Sequence, residues 1–274
     1  DRSYETTEEF PSSDTENGGD VTQNGPDVRQ NGPRRSSRPP CPKVMKDFIT
    51  YIAMSDGDEP QTASEALASS DAEKWKSAMS DEMKSLIKND TFEWTDLPNG
   101  VKPLNARWVF KVKQGDNGAE RFKARLVVKG CAQRHGIDFQ ETFSPVIKYS
   151  SLRYLLAVAV KENLRVTHMD VVTAYLHGDL DETIFVTPPE GIDHSTSEEG
   201  RYWKLKKAVY GLRQSGRCWN QKLHSILVKL QLTQSKADPC VYFKRTKKET
   251  ILLAVFVDDL ILFTNNDSAR NRVK

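Results

Sequence analysis

The stretch "ILLAVFVDDLILF", residues 251–263, places two adjacent aspartates, Asp258 and Asp259, inside an otherwise unbroken apolar run. The run predicts buried strand, but a buried carboxylate is costly unless it is protonated, paired or bound to a cation. Two interpretations satisfy this constraint: the run breaks at a surface turn, or its two carboxylates bind a metal ion. Taken alone, the surface turn is the commoner case, because aspartate is frequent where a strand meets a turn.

The composition predicts a globular chain with a real core. With 274 residues, of which 37% are hydrophobic, it has room for one large domain or two modest ones. Its apolar runs are far shorter than the roughly 20 residues of a membrane span, so we expect no membrane contact. The four cysteines show no paired spacing, which favours free thiols in an intracellular, reducing compartment.

Residues 1–58 are predicted to be a disordered, low-complexity linker, because they carry few large apolar residues. Beyond them, helical and strand patterns alternate. Trp75 and Met79 belong to an amphipathic helix in which Ser70 and Glu73 have capping-box spacing, and Asn117-Gly118 marks a β-hairpin. The mixture of antiparallel hairpins and helices predicts an α+β fold.

The predicted hairpin is basic. Between Lys102 and Lys129 stand eight lysines and arginines against only Asp116 and Glu120. This excess suits a polyanion, but for a charge run alone a solvated strand face is the commoner explanation. Within the hairpin, Lys123 and Arg125 have the charge to neutralise a triphosphate.

A third aspartate, Asp170 in "VTHMDVVTAYLHG", also follows a strand-like run. Magnesium is usually held by one or two carboxylates together with substrate phosphates. If the strands carrying Asp170 and Asp258 lie side by side, the two carboxylates would bridge a pair of ions about 4 Å apart, as in phosphoryl transfer. Tyr175 is then placed to lie under a nucleotide sugar, or it is an ordinary core tyrosine; Gly211 would permit close backbone approach to a ligand.

These segments resemble a known family. From about Glu59 to the final residues the chain is similar to the reverse transcriptase domain of copia-type retrotransposon polyproteins. The motifs appear in the order and at the spacing typical of that family: "EKWKSAMSDEMKSLIKNDTFEWTDLP", "ARWVFKVK", "FKARLVVKGCAQRHGIDFQETFSPVIKYSSLRYLLAVA", "HMDVVTAYLHGDLDETIFVTPPEGI", "KKAVYGLRQSGRCW" and "AVFVDDLILF".

The resemblance implies a right-hand polymerase fold. Residues 59–150 would form an N-terminal helix and the fingers, and residues 151–274 an incomplete palm, with the thumb absent. The implied activity is RNA-directed DNA polymerisation with two Mg²⁺ ions, or Mn²⁺ in their place. Asp170, Asp258 and Asp259 match the catalytic, metal-binding aspartates; the first two are expected to be the main ligands, because neighbouring strand residues point to opposite faces. The matching nucleotide-binding residues are Tyr175, Lys123, Arg125, Gly211, Arg213 and Gln214.

The implied partners are an RNA or DNA template-primer, deoxynucleoside triphosphates and other polyprotein domains. Integrase would lie upstream, with the thumb and RNase H downstream, in a cytoplasmic particle or the nucleus. The chain departs from the family at Phe256, where tyrosine is usual, and at Gly216, where proline is common. Two alternatives stay open. The chain is an inactive, truncated remnant that retains nucleic-acid binding, or it folds poorly because its palm sheet exposes an edge.

Overall fold

The computed structural model describes residues 59–114, 118–191 and 201–274. The predicted disorder of residues 1–58 and the predicted turn at Asn117 lie outside these residues. The helices are α1 (Ala63–Ala68), α2 (Ala72–Lys88), α3 (Tyr149–Lys161), α4 (Ser215–Lys229) and α5 (Asp267–Val273). The strands are β1 (Phe92–Thr95), β2 (Leu104–Gln114), β3 (Glu120–Val128), β4 (Arg165–Asp170), β5 (Phe185–Thr187), β6 (Tyr202–Leu205), β7 (Thr233–Gln234), β8 (Val241–Arg245), β9 (Thr250–Phe256) and β10 (Asp259–Thr264). Over the residues described, no helix combines the length and apolar character needed to cross a membrane.

The strands form two five-stranded sheets. The first has the order β1-β6-β5-β2-β3, in which only β2 and β5 run parallel. The second has the order β4-β10-β9-β8-β7 and is antiparallel throughout. Helices and mostly antiparallel sheets confirm the α+β prediction. The two sheets do not divide at residue 150, however, because β5 and β6 return to the first sheet and pair beside β2.

The apolar run of residues 251–263 folds into the centre of the second sheet. Strand β9 is buried on both faces: Leu253 and Val255 pack with α4, whereas Leu252 and Ala254 pack with α3. Since successive strand residues point to opposite faces, a sheet covered by a helix on each side requires apolar residues at every position. The helical cover therefore explains why this run does not alternate with polar residues.

The first sheet packs against α2. Trp75 meets the ring of Phe110 edge to face at a centroid distance of 5.1 Å, and that of Phe122 at 4.6 Å. Across the sheet, Trp203 stacks on Phe92 at 4.1 Å. Aromatic pairs at these distances stabilise a core beyond the area that they bury.

The predicted amphipathic helix forms as α2, and a separate short helix, α1, precedes it. Thr62 caps α1, with its hydroxyl accepting the backbone N–H of Glu65 at 3.1 Å, whereas Asp71 precedes α2 without a side-chain cap. The predicted capping box of Ser70 and Glu73 is therefore wrong. Serine and aspartate compete with helical hydrogen bonds for the backbone, and Ser69 does so by donating to the Ala66 carbonyl at 2.8 Å.

Two glycines join the end of β3 to the loop before α4. A Cβ on Gly211, whose φ is +96°, would lie 2.0 Å from the carbonyl oxygen of Val128. A Cβ on Gly130 would lie 2.1 Å from the carbonyl oxygen of Gly211. The N–H of Val128 also donates to the carbonyl of Tyr210 at 2.8 Å. The two backbones touch directly, so no side chain fits between them.

We predict that Gly211→Ala destabilises the fold by about 2 to 4 kcal/mol, because overpacking costs about 1 to 3 kcal/mol and the left-handed backbone adds about 1. The matched control is Gly136→Ala. Gly136 also has a positive φ, +81°, but a Cβ there meets no described atom within 4 Å. Urea denaturation of both variants measures the difference, and equal losses would contradict the direct backbone contact.

Candidate active site

Strands β4 and β10 bring the predicted carboxylates together. They pair in antiparallel register, with Asp259 directly opposite Asp170. Strands β9 and β10 form a hairpin in which Phe256 pairs with Asp259, so Val257 and Asp258 are its two loop residues. The N–H of Val171 donates to the carbonyl of Asp258 at 2.9 Å, which ties this loop to the strand that carries Asp170. All three aspartates therefore lie at one end of the second sheet.

The loops beside the carboxylates contain strained residues. Val257 has a φ of +56°, and Thr173, which precedes the short 3₁₀ helix Ala174–His177, has a φ of +54°. For β-branched residues this left-handed conformation is an outlier that costs on the order of 1 to 3 kcal/mol. Such strain persists only where surrounding contacts fix the backbone, and it is concentrated at functional sites.

The carboxylates differ in exposure and partners. Asp170 is exposed, and Asp258 and Asp259 are half-buried. Nε2 of His168 lies 2.8 Å from Oδ1 of Asp259, so this aspartate already has a side-chain partner. His168 lies two residues before Asp170 on β4 and was not predicted as a site residue. Sequence reasoning could have found His168, because residues two apart on a strand point to the same face and His168 therefore shares the face of Asp170.

The donor chemistry suits a hard cation. Carboxylate oxygens are the ligands that Mg²⁺ prefers, and one or two of them suffice when substrate phosphates supply the rest. Among the described residues, no group of three or more histidine, cysteine, aspartate or glutamate side chains is arranged to hold a metal ion. The metal-binding role of the three aspartates therefore stays a prediction.

An aromatic pair lies between the carboxylates and the basic hairpin. The rings of Tyr175 and Tyr210 meet edge to face, with centroids 4.8 Å apart, and the guanidinium of Arg125 lies 3.9 Å from the centre of the Tyr210 ring. Burial raises the pKa of Tyr175, and the negative charge of Asp258 raises it further. Burial likewise raises the pKa of Tyr210. Both phenols are therefore neutral hydrogen-bonding groups at physiological pH.

The β2–β3 hairpin places like charges opposite one another. Lys111 is the cross-strand partner of Lys123, and Lys113 is that of Arg121. Burial lowers the pKa of Lys123, and the neighbouring charges of Arg125, Lys113 and Arg121 lower it further. Like charges directly opposite one another destabilise a sheet, so this surface favours an anionic ligand.

Comparison with known proteins decides the family. Residues 89–274, which include every predicted site residue, match the model of the family described as reverse transcriptase (RNA-dependent DNA polymerase). The chain belongs to this reverse transcriptase family. The copia-type resemblance drawn from the motifs is thereby confirmed.

Several curated relatives of this chain are polyproteins. It is 42% identical over 231 residues to the retrovirus-related Pol polyprotein from transposon TNT 1-94 of Nicotiana tabacum, covering 84% of the chain and 17% of that protein. Identity is 37% over 223 residues with the Pol polyprotein from transposon RE1 of Arabidopsis thaliana, covering 80% and 15% respectively. With the transposon Ty1-BL Gag-Pol polyprotein of Saccharomyces cerevisiae it is 27% over 208 residues, covering 73% and 11%. The chain thus spans less than a fifth of each of these proteins.

Gln214 is held in a buried network rather than in an open pocket. It is 1% exposed, and its Nε2 donates to the carbonyl of Asp138 at 2.9 Å and to Glu182 at 3.1 Å. Its Oε1 accepts from Nε2 of Gln133 at 2.9 Å, and Gln133 also accepts the N–H of Arg213 at 2.8 Å. Gln133 lies 81 residues away in sequence and was not predicted, because no local pattern marks such a partner.

Arg213 and Gly211 also contact protein. Nε of Arg213 donates to the carbonyl of Gly130 at 3.0 Å, and its guanidinium lies 5.4 Å from the centre of the Phe139 ring. At Gly211 the close backbone approach is to Val128. The nucleotide-binding roles of Gly211, Arg213 and Gln214 stay predictions; their described contacts connect the loop before α4 to the segment after β3.

A groove of about 810 Å³ lies elsewhere, between α3 and the β8–β9 part of the second sheet. Tyr154, Val158, Phe243 and Leu252 line it, with none of the predicted site residues among its described lining. This groove is therefore not part of the candidate site around the carboxylates.

Glu82 of α2 lies behind the basic strand β3. Its Oε1 accepts the N–H of Leu126 at 3.2 Å. Burial raises its pKa above the ordinary value of 4.5, although the Leu126 N–H and the charges of Arg125 and Lys123 act in the opposite direction. The folded state therefore binds this proton more tightly than the unfolded chain does.

We predict that Glu82→Gln becomes progressively more stable than the wild type as the pH rises from 4.5 through the raised pKa of Glu82. Above that pKa the wild type carries a buried charge that the variant lacks. Glu93→Gln provides the opposite case, because a hydrogen bond from Lys204 lowers the pKa of Glu93. Glu93 stabilises the fold above 4.5, and this contribution is lost as the pH falls. Denaturation at a series of pH values measures both trends, and parallel curves would contradict the assignment.

Proposed function

We propose that this chain forms the fingers and palm of an RNA-directed DNA polymerase, which joins deoxynucleoside triphosphates to a primer 3′-hydroxyl. The second sheet is the palm, and the first sheet with its basic hairpin is the fingers. The proposed domains are residues 59–150 and 151–274, with β5 and β6 crossing back to the fingers. The observation that carries the proposal is the register of β4 and β10, which sets Asp170 opposite Asp259 and beside the Asp258 turn.

Asp170 and Asp258 would hold Mg²⁺, with Mn²⁺ as a substitute. Asp259 pairs directly opposite Asp170 and so shares its face, which means that strand alternation does not exclude it; it would be the lesser ligand because His168 occupies one of its oxygens. When bound, a pair of such ions stabilises negative charge on the attacking and leaving oxygens of phosphoryl transfer. The half-buried Asp258 and the exposed Asp170 present carboxylates toward solvent, where phosphate oxygens complete the coordination.

The residues around the carboxylates would bind the incoming nucleotide. Arg125 and Lys123 neutralise triphosphate charge, and the contact of Arg125 with the Tyr210 ring limits the orientations of its guanidinium. Tyr175 lies under the sugar and excludes a 2′-hydroxyl, the group that distinguishes RNA from DNA. A template-primer and deoxynucleoside triphosphates are thus the proposed partners. The similarity to Pol polyproteins supports a further proposal, that the chain works alongside other domains of a polyprotein.

The hairpin favours a second candidate function, nucleic-acid binding without turnover. Lys113 opposite Arg121 and Lys123 opposite Lys111 place positive charge on one strand face, where, among the described residues, Glu59 neutralises Lys111 alone at 3.2 Å, and this surface does not depend on the aspartates. Binding by this surface would weaken steeply with salt, because phosphate contacts release counterions.

Primer extension on a poly(rA)–oligo(dT) duplex with Mg²⁺ tests the first function. We predict that Asp170→Asn and Asp258→Asn each lower incorporation by at least about 100-fold, the upper end of the loss seen when a residue that merely supports a metal ligand is changed. Asp96→Asn, an exposed position after β1, serves as the control with unchanged incorporation.

Undiminished incorporation by Asp258→Asn would contradict the role assigned to that carboxylate. If neither the wild type nor the variants incorporate nucleotide, but all bind the duplex with a steep salt dependence, the second function replaces the first. Loss of that binding in Lys123→Ala and Arg125→Ala would locate it on the hairpin.

A further inference from the structure

The hairpin turn that carries Asp258 adopts an unfavourable backbone. Val257 is the first of its two loop residues and has a φ of +56°. In two-residue hairpins this conformation favours glycine, because a β-branched side chain crowds its own backbone there. The turn therefore needs contacts from outside the hairpin to keep this shape.

Both carbonyls of the turn accept such contacts. The Asp258 carbonyl accepts the backbone N–H of Val171, which any residue except proline would supply. The Val257 carbonyl accepts the indole N–H of Trp219 at a distance of 2.7 Å between Nε1 and oxygen. This second bond depends on one side chain, since phenylalanine or leucine at the same position has no donor.

Trp219 is rigidly held. Its side chain is 3% exposed and lies in the core between α4 and the second sheet, with Leu223, Leu253 and Leu260 in the same cluster. The backbone of α4 also meets the segment that follows Asp170, because a Cβ on Gly178 would lie 2.9 Å from the backbone nitrogen of Trp219. One helix thus contacts both loops that flank the carboxylates.

We propose that Trp219 is a positioning residue: its indole N–H fixes the strained Val257–Asp258 turn and so holds Asp258 against the strand that carries Asp170. The role of Asp258 in holding a metal rests on the function proposed above. The position of the turn itself does not, so the two claims are separable by experiment.

The test compares Trp219→Phe with Trp108→Phe in the full chain. Both changes remove a buried indole that donates to a backbone carbonyl, Trp108 to Glu190 at 3.0 Å, but only Trp219 contacts the turn. The measurements are hydrogen exchange of the peptide covering residues 251–263, and Mn²⁺ affinity followed by electron paramagnetic resonance. We predict that Trp219→Phe speeds exchange at the turn and weakens Mn²⁺ binding about 10-fold, as loss of a residue supporting a ligand does. Trp108→Phe leaves both unchanged.

Equal exchange at the turn in the two variants overturns the proposal. If Trp219→Phe speeds exchange but the wild type binds no Mn²⁺, the positioning role stands and the proposed metal role of Asp258 fails. If Trp219→Phe does not fold, the proposal is tested instead on wild-type protein labelled with ¹⁵N at its tryptophan indoles, by following the Trp219 Nε1–H. A Trp219 Nε1–H protected from exchange and broadened by Mn²⁺ supports the proposal, and one that exchanges within the dead time overturns it.

Discussion

The ladder between β4 and β10 runs from Thr264 opposite Arg165 to Asp259 opposite Asp170. Along β10 the apolar positions are buried or half-buried, and α3 and α4 cover the two faces of the sheet. A carboxylate inside β9 or β10 would lose its hydration without a partner, so Asp258 and Asp259 are tolerated only where these two strands leave the covered region. Strand β4 is an edge strand that is exposed or half-buried throughout, so the position of Asp170 is set by its register with β10.

Strain at that end depends on the same burial. Val257 and Thr173 adopt left-handed backbones on either side of the carboxylates, and neither side chain gains from it. Helix α4 contacts both loops and is itself anchored by Trp219, Leu223 and Leu227 in the core. The packing of α4 in the core therefore compensates for the backbone strain in the two loops, as is typical of functional sites.

The sequence predicts those features that depend on local pattern. Apolar runs around Asp170 and Asp258 indicate strands, and the polar break between Phe256 and Leu260 indicates the turn. It does not predict Gln133 beside Gln214, Tyr210 under Arg125, or His168 beside Asp259, because such contacts depend on side-chain directions set by tertiary packing. The capping box predicted at Ser70 and Glu73 does not form, although the apolar spacing of the helix is correct: α2 begins after Asp71, which makes no side-chain cap.

The two sheets meet at an aromatic pair with opposite charges on its two sides. Arg125 from the first sheet lies over Tyr210, Tyr210 touches Tyr175, and the pKa of Tyr175 responds both to Asp258, which raises it, and to Arg125, which lowers it. Tyr175 is close enough to both groups for each charge to act on its pKa, and no described ion pair joins Arg125 to Asp258. Cations on one side and carboxylates on the other are complementary to a ligand that is anionic at one end and metal-bound at the other. That polarity arises only when both sheets are folded, since neither sheet alone supplies both charges.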